Sequence, residues 1–302
     1  MNIVYVFIGN LPDYSIATVH QARLFFDGPI YFIVSEMSSP YVAVLKEKYD
    51  VIIIPYESVR DAEFNNIFDI HSAKFTITPW VHGREKLFIY AFERFFALNN
   101  LMKQRGLTDV LFLELDNLIY DNPTKWRTSL KTRGIAYLYD NVNRSSSGCC
   151  FIASSEHLEE LNRHFIYHIL KHTDGLLEEM SALYLYWTKN KDKVLFLPTH
   201  WTDPRYSEEL WKHTGLFGDS IFDAAAVGIF LGGVELCHSG GVLKTGTKWS
   251  LSEIDYTGYR YKWEDEDGKR IPYIGSQDKW YRINNLHVHS KVLGPLLSAP
   301  LK

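Results

Sequence analysis

Cysteine, net charge and long apolar runs are all scarce in this chain. Its 302 residues include 3 cysteines, two of them adjacent, which provide neither a disulfide framework nor a paired-thiolate zinc site. The formal net charge of −4 argues against an electrostatic nucleic-acid binder. No apolar run approaches the roughly 18 to 20 residues that a membrane span requires. We therefore expect no nucleic-acid partner, no membrane span and a reducing compartment.

The chain also begins without a basic segment. Its first residues, Met1–Val6, resemble a buried strand, so we expect no secretory signal and a cytoplasmic location. What is abundant is apolar and aromatic: 46% of residues are hydrophobic and 15% are aromatic, which excludes a disordered chain. Aromatic richness suits stacking on sugars or bases, but large cores use aromatic side chains equally well.

Short apolar runs alternate with helical patterns in the first half of the chain. The strand-like runs are Ile3–Ile8, Ile30–Val34 and Val51–Ile54, and Tyr14–Phe25 and Tyr41–Tyr49 between them have helical spacing. This alternation is typical of βαβ units with a mainly parallel sheet that is buried on both faces. The sequence therefore predicts an α/β fold, with a central mainly parallel sheet flanked by helices.

The clearest helix spans Arg84–Arg105, with Gly106 placed as its C-terminal cap. After residue 120 the pattern is less regular, and Gly232–Gln277 is predicted to form loops and hairpins. No repeat, low-complexity linker or composition break divides the chain. We expect a single domain over residues 1–302, with an irregular C-terminal region.

Two carboxylates stand at the end of the next apolar run. Glu114 and Asp116 are two residues apart, so in a strand their side chains leave the same face. Carboxylates held close together repel unless a cation or a proton relieves them, and Mg²⁺ or Mn²⁺ with oxygen ligands would also carry a diphosphate. The alternative is a strand that exits into solvent, with Asn117 and Asp121 as turn formers.

The surrounding segments resemble a known family. Glu93–Leu98 followed by Leu113–Tyr120 is similar to the core of GT-A-fold glycosyltransferases, in which a helix precedes a strand ending in Asp-x-Asp or a Glu-x-Asp variant. The resemblance implies that these carboxylates hold a metal that binds the diphosphate of a nucleotide sugar. Because Glu114 stands where Asp is commoner, Asp116 is the better-supported ligand of the two.

Three further segments extend the resemblance across most of the chain in scattered blocks. Ile8, Gly9 and Asn10 follow the first strand, where the nucleotide pocket of the family begins. Phe222–Gly233 is similar to a segment of poorly characterised viral and microbial members, and Leu286–Lys291 resembles the terminal His…Lys element. The resemblance implies a GT-A-like domain with a nucleotide-binding half, 1–120, and an acceptor-side half, 121–302.

The C-terminal element contains two histidines on one strand face, His287 and His289. Imidazole is a good ligand for Mn²⁺ and a poorer one for Mg²⁺, so a histidine beside Asp116 favours Mn²⁺. One of the two is expected to bind the metal and the other to be packed. We slightly favour His289 as the ligand, because it adjoins Ser290 and Lys291, and we expect Lys291 to contact the β-phosphate.

The candidates for catalysis on the acceptor side are carboxylates, because an inverting transferase needs a base for the acceptor hydroxyl. Asp223 is one candidate, although it would equally cap a helix before three alanines. Glu179 is the other, although Glu178 and Glu179 are each more readily interpreted as solvated helix residues.

An arginine and a basic segment complete the predicted site. Arg94 is expected to be buried and to need a carboxylate partner, for which the acidic strand end is the nearest candidate. Lys244–Trp249 resembles a Gly/Thr-rich lid over the diphosphate.

The leading hypothesis is a metal-dependent glycosyltransferase of glycan biosynthesis, a hexosyl- or pentosyltransferase that uses a UDP-sugar donor and a glycan hydroxyl acceptor. A sugar-phosphate nucleotidyltransferase is the alternative enzyme, but Gly9–Asp13 has one glycine and no Lys or Arg where that class carries a Gly-rich basic signature. A carbohydrate-binding protein without turnover is the alternative outside enzymes, consistent with Glu114 and the aromatic content.

Overall fold

The structure is a computed structural model that describes residues 1–75, 86–141, 143–173, 177–199, 208–233, 259–276 and 279–301. The segment Lys244–Trp249, for which a lid was predicted, lies outside them. Within the described ranges, no helix has both the length and the apolar character needed to cross a bilayer.

The strands in chain order are β1 Asn2–Phe7, β2 Ile30–Val34, β3 Val51–Pro55, β4 Val110–Leu113, β5 Asn117–Ile119, β6 Ile135–Asn141, β7 Arg144–Ile152, β8 Val194–Leu197, β9 Arg260–Glu266, β10 Lys269–Ser276, β11 Lys279–Arg282 and β12 Asn285–His287. The helices are α1 Ser15–Phe25, α2 Pro40–Tyr49, α3 Ala62–His71, α4 Leu87–Arg105, α5 Arg127–Leu130, α6 Ser155–Lys171, α7 Glu179–Lys189 and α8 Ala226–Gly232.

Seven strands form the central sheet in the order β3-β2-β1-β4-β7-β6-β8. Four neighbouring pairs are parallel, and β7 runs antiparallel to both β4 and β6. One face packs against α4, α6 and α7, and the other against α1 and α2. The predicted α/β class, with a mainly parallel sheet flanked by helices, is confirmed.

Helix α4 shows how closely local pattern determines this half of the chain. It ends at Arg105, and Gly106 adopts the left-handed conformation, with φ 61°, while its N–H bonds to the carbonyl of Met102. Its buried face includes Phe92, Phe95 and Leu98, which cover the sheet. The helix therefore carries the residues Glu93 and Arg94 to the carboxyl edge of the strands.

The predicted strand through Asp116 is too long. β4 ends at Leu113, and a turn follows in which the Asn117 N–H donates to the Glu114 carbonyl at 3.0 Å. Glu114 and Asp116 therefore lie in the turn between β4 and β5, and the period-two argument that placed them on one strand face does not apply. The turn nevertheless directs both carboxylates to one place.

The C-terminal part is organised around two small sheets. β9, β10 and β11 form an antiparallel sheet, and the Asp267-Gly268 turn between the first two has φ of 54° and 74°. β12 pairs antiparallel with β5, which sets His287 opposite Asn117. This pairing brings the C-terminal element beside the acidic turn.

Candidate metal and nucleotide site

Three donor atoms converge where the turn after β4 meets the end of β12. The Nε2 atom of His287 lies 3.2 Å from Oε2 of Glu114 and 3.3 Å from Oδ1 of Asp116. Among the described residues, these three form a group whose ligand atoms lie within 4.8 Å of one another. The pairing of His287 with Asn117 accounts for this proximity, because it places the histidine beside the two carboxylates.

The outer oxygens of the two carboxylates face cations. Arg94 pairs with Oε1 of Glu114, and Lys291 pairs with Oδ2 of Asp116. Arg94 also contacts Oε1 of Glu179 at 3.2 Å and Oγ of Ser147 at 3.0 Å. The predicted partnership of Arg94 with the acidic segment is therefore present, and each carboxylate directs its other oxygen towards His287.

These contacts change the acidities in the group. Burial would raise the pKa of Glu114, but Arg94 and His287 outweigh it and lower that pKa to about 2. Burial likewise opposes the effect of Lys291 and His287 on Asp116, whose pKa nevertheless lies well below its usual range. The pKa of His287 lies well above its usual value because Asp116 and Glu114 outweigh the effect of burial. Both carboxylates are thus ionised at neutral pH.

The other ring nitrogen of His287 orients the imidazole. Nδ1 lies 2.6 Å from the carbonyl oxygen of Ala224, and because a carbonyl only accepts, Nδ1 carries a hydrogen and donates it. Metal-binding histidines usually donate their second N–H in this way, which aims the remaining nitrogen at the metal. Two carboxylate oxygens and one imidazole nitrogen fit a divalent cation, and the nitrogen suits Mn²⁺ better than Mg²⁺.

His289 lies next to this group rather than in it. Its ring centroid is 4.6 Å from that of His287, and burial, followed by the charge of His287, lowers its pKa to about 3. β12 ends at His287, and the chain then turns away. The geometry therefore favours His287 as the ligand, against the slight preference for His289 in the sequence analysis. Lys291, with φ 61°, follows in the same turn.

The carboxylate of Asp223 binds backbone N–H groups of α8 and β12. Asp223 is 1% exposed, and its Oδ1 accepts from the N–H of Val227 at 3.0 Å while its Oδ2 accepts from those of Gly228 at 2.8 Å and His287 at 3.0 Å. Burial raises its pKa despite these bonds. Of the two interpretations offered for Asp223, helix capping agrees with the geometry, and the same carboxylate also fixes the backbone of His287.

Two glycines allow this close packing, and sequence reasoning did not single them out. A Cβ on Gly148 would lie 2.8 Å from Nδ2 of Asn117 and 3.0 Å from Nδ1 of His287. A Cβ on Gly228 would lie 2.0 Å from the carbonyl oxygen of His287. The signal for Gly148 was available, since an isolated glycine inside a strand pattern often marks a close approach.

Glu178 and Glu179 are both buried, which corrects the expectation of solvated side chains. They lie at the start of α7, which packs across β7. Glu178 is bound by Nε of Arg144 at 2.8 Å. Burial outweighs the charge of Arg94 and raises the pKa of Glu179 to about 7. Helical periodicity did not reveal this burial, because it depends on the strand beneath the helix terminus.

A cleft of about 430 Å³ opens at the carboxyl ends of β1, β2 and β3, beside α4. Its volume falls within the roughly 300 to 1,000 Å³ of ordinary ligand pockets. Of the three residues after β1 that were predicted to begin the nucleotide pocket, Ile8 and Gly9 line it, whereas Asn10 is exposed and outside its lining. Among the residues that the structure describes, the cleft is lined by Ile8, Gly9, Ser35, Tyr56, Glu57, Arg60, Phe64, Asn65, Phe68, Asp69, Lys86, Ile89, Tyr90 and Glu93.

Comparisons with known proteins gave likeness in structure alone. No family model matches the chain, and no curated protein matches it. Solved structures that it resembles include apo mouse xyloside xylosyltransferase 1, at 12% identity and TM-score 0.46 over 65% of this chain and 85% of that one. The glycosyltransferase GlyE of Streptococcus pneumoniae TIGR4 matches at 14% identity and TM-score 0.42, over 65% and 44% of the two chains.

A cytidylyltransferase of Leptospira borgpetersenii is also similar, at 10% identity and TM-score 0.37 over 68% of this chain and 78% of that one. These likenesses concern the fold alone.

Proposed function

We propose that this protein is a metal-dependent glycosyltransferase that moves a sugar from a nucleoside diphosphate donor, UDP in the first instance, to a glycan hydroxyl. The observation that carries the proposal is the convergence of Glu114, Asp116 and His287 on one point at the carboxyl edge of the sheet. Ligands of open α/β sheets bind at this edge.

The three side chains are suited to a divalent cation, which in turn would bind the diphosphate of the sugar donor. Bound there, Mn²⁺ or Mg²⁺ would stabilise negative charge on the departing diphosphate as a Lewis acid. Lys291 adds a cation on the far side of Asp116, where we expect it to face the β-phosphate. Arg94 holds Glu114 from α4 and keeps its second oxygen aimed at the group.

The cleft is the proposed place of the nucleoside. It begins at Ile8 and Gly9, which follow β1, and β1 is the parallel neighbour of β4, which leads to Glu114. Adjacent strands lie about 4.8 Å apart, so one nucleotide can reach both places. In this proposal residues 1–120 supply the cleft and the carboxylates, and residues 121–302 supply His287, Lys291 and the acceptor side.

Glu179 is our candidate for the proton of the acceptor hydroxyl in an inverting reaction. A general base works best when its pKa lies near the working pH, and the pKa of Glu179 is about 7. The same guanidinium nitrogen of Arg94, Nη2, contacts both Glu179 and Glu114, and this contact connects Glu179 to the metal-binding group.

Calorimetric titration with Mn²⁺ and UDP, GDP and CDP, each with and without EDTA, tests the proposal, together with donor hydrolysis assays on the matching sugar nucleotides. We expect nucleotide binding that requires the metal, and slow hydrolysis of a bound donor. Absence of binding and of hydrolysis across the panel would refute it. Pyrophosphate release from a nucleoside triphosphate would replace it by nucleotidyl transfer, and sugar binding unchanged by EDTA would replace it by a carbohydrate-binding role.

A further inference from the structure

The lining of the cleft includes a buried polar pair, Tyr56 and Glu93. The hydroxyl of Tyr56 donates to Oε1 of Glu93, and the two residues are 5% and 6% exposed. Tyr56 follows β3, and Glu93 comes from α4, so the pair joins two walls of the cleft. The tyrosine hydroxyl occupies Oε1 of Glu93, so Oε2 is the oxygen of this lining residue that remains to accept from a ligand.

The end of the first strand contributes no polar side chain to the cleft. At the end of β1 the cleft is lined by Ile8, which has no polar side-chain atom, and by Gly9, which has no side chain and a φ of 124°. Gly9 is bound through its backbone, since its N–H donates to Oγ of Ser35 at 2.8 Å. Phe68 and Tyr90 are partly exposed and offer ring surfaces against which a base can stack.

A carboxylate acceptor distinguishes nucleobases by one atom. Uracil presents a ring N–H at N3, and guanine presents one at N1, and both donate to a carboxylate. Cytosine has an unprotonated N3 at that position, whose lone pair is repelled by a carboxylate oxygen. UDP and CDP are nearly identical in size, so the difference between their affinities isolates this contact from the volume of the cleft.

We infer that Glu93, positioned by Tyr56, reads the ring N–H of the donor base, so that the site takes uridine diphosphate sugars and rejects cytidine diphosphate sugars. The inference rests on the proposed function, because it assigns the cleft to the nucleoside of the donor. The residue that selects the base is then Glu93, which lies on α4 directly before Arg94, the residue that pairs with Glu114.

The test is the ratio of UDP to CDP affinity in the presence of Mn²⁺, measured calorimetrically on the whole chain. A hydrogen bond to a charged group contributes about 1.5 to 3 kcal/mol, so the parent should bind UDP at least about tenfold more tightly than CDP. In Glu93→Gln the ratio of UDP to CDP affinity should fall by about tenfold. The carboxylate that repels N3 of cytosine is gone, and the amide N–H that replaces it can donate to N3.

Tyr56→Phe is a second variant that retains the ring and Glu93. It should lower the ratio by a smaller factor, since Glu93 loses the group that orients it. Glu47→Gln, an exposed change of the same chemistry on α2, should keep the parent ratio.

Mn²⁺-dependent binding of UDP and CDP with equal affinity, or an unchanged ratio in Glu93→Gln, would overturn the inference and leave the proposed function standing. Binding of neither nucleotide to the parent in the presence of Mn²⁺ would overturn both.

Discussion

The imidazole of His287 donates a 2.6 Å hydrogen bond from Nδ1 to the carbonyl of Ala224. Asp223, the preceding residue, binds the backbone N–H of His287 with its Oδ2. The ring and the backbone of this histidine are therefore both held by the segment that leads into α8. These two contacts fix the orientation of the ring, so that Nε2 is directed towards the carboxylates of Glu114 and Asp116.

Asp116→Asn is expected to abolish Mn²⁺-dependent UDP binding, because the change removes the charge of one ligand while preserving its shape. Asn retains a carbonyl oxygen, so complete loss would indicate that charge is essential. The exposed Asp192→Asn is the matched control and should bind as the parent does. Calorimetric titration measures all three proteins. Parent-like affinity in Asp116→Asn would place the metal elsewhere.

His287→Ala and His289→Ala separate the two histidines. The first should weaken Mn²⁺ binding by at least about tenfold, because it removes the nitrogen ligand, and the loss even of a residue that only supports a ligand costs about 10- to 100-fold in metal affinity. The second should leave the affinity nearly unchanged, because His289 lies beside the ring of His287 and outside the three-atom group. Manganese titration followed by electron paramagnetic resonance gives both values. The reverse order of effects would show that His289 is the ligand.

Gly228→Ala should destabilise the protein and weaken the site together. The new Cβ would stand 2.0 Å from the carbonyl oxygen of His287, so α8 or β12 has to move. Overpacking of this kind costs typically about 1 to 3 kcal/mol. Urea unfolding and Mn²⁺ titration measure the two effects. The control is Gly215→Ala, whose Cβ meets nothing within 4 Å; equal behaviour of the two variants would contradict the close approach.

The stability of the fold should depend on pH through Glu179. Its pKa is about 7 in the folded protein and has an ordinary value of 4.5, so the folded state holds the proton more tightly. The stabilisation is complete below pH 4.5 and is lost as pH rises through 7, by about 3 kcal/mol at most, since one pKa unit corresponds to about 1.36 kcal/mol.

Urea unfolding of the parent and Glu179→Gln between pH 5 and 8 measures this dependence. The parent should lose more stability over that interval than the variant, whose amide does not titrate. Glu47→Gln, which is exposed, should follow the parent. Parallel curves for the parent and Glu179→Gln would show that burial of Glu179 does not perturb its acidity.

Local pattern was sufficient for much of the fold. The apolar runs predicted β1 to β3, and the spacing of apolar residues predicted α4 with its cap at Gly106. These features are decided by residues close in the chain, since strand and helix periods and a left-handed glycine are local properties. The end of β4 was misplaced because the apolar pattern continues to Leu115, whereas the Asn117 N–H bonds to the Glu114 carbonyl and closes a turn there, which the period of a strand does not register.

By itself, the sequence determined that two carboxylates follow a buried strand, that Arg94 needs a carboxylate partner, and that two histidines stand near the C-terminus. Only the tertiary structure decided that His287 joins the carboxylates, that Glu179 is buried on Arg94, and that Glu93 faces a cleft. The physical reason is distance along the chain. The pairing of β12 with β5 and the packing of α7 on β7 bring together residues that no local period connects, and the charges and burial at the site arise from those contacts.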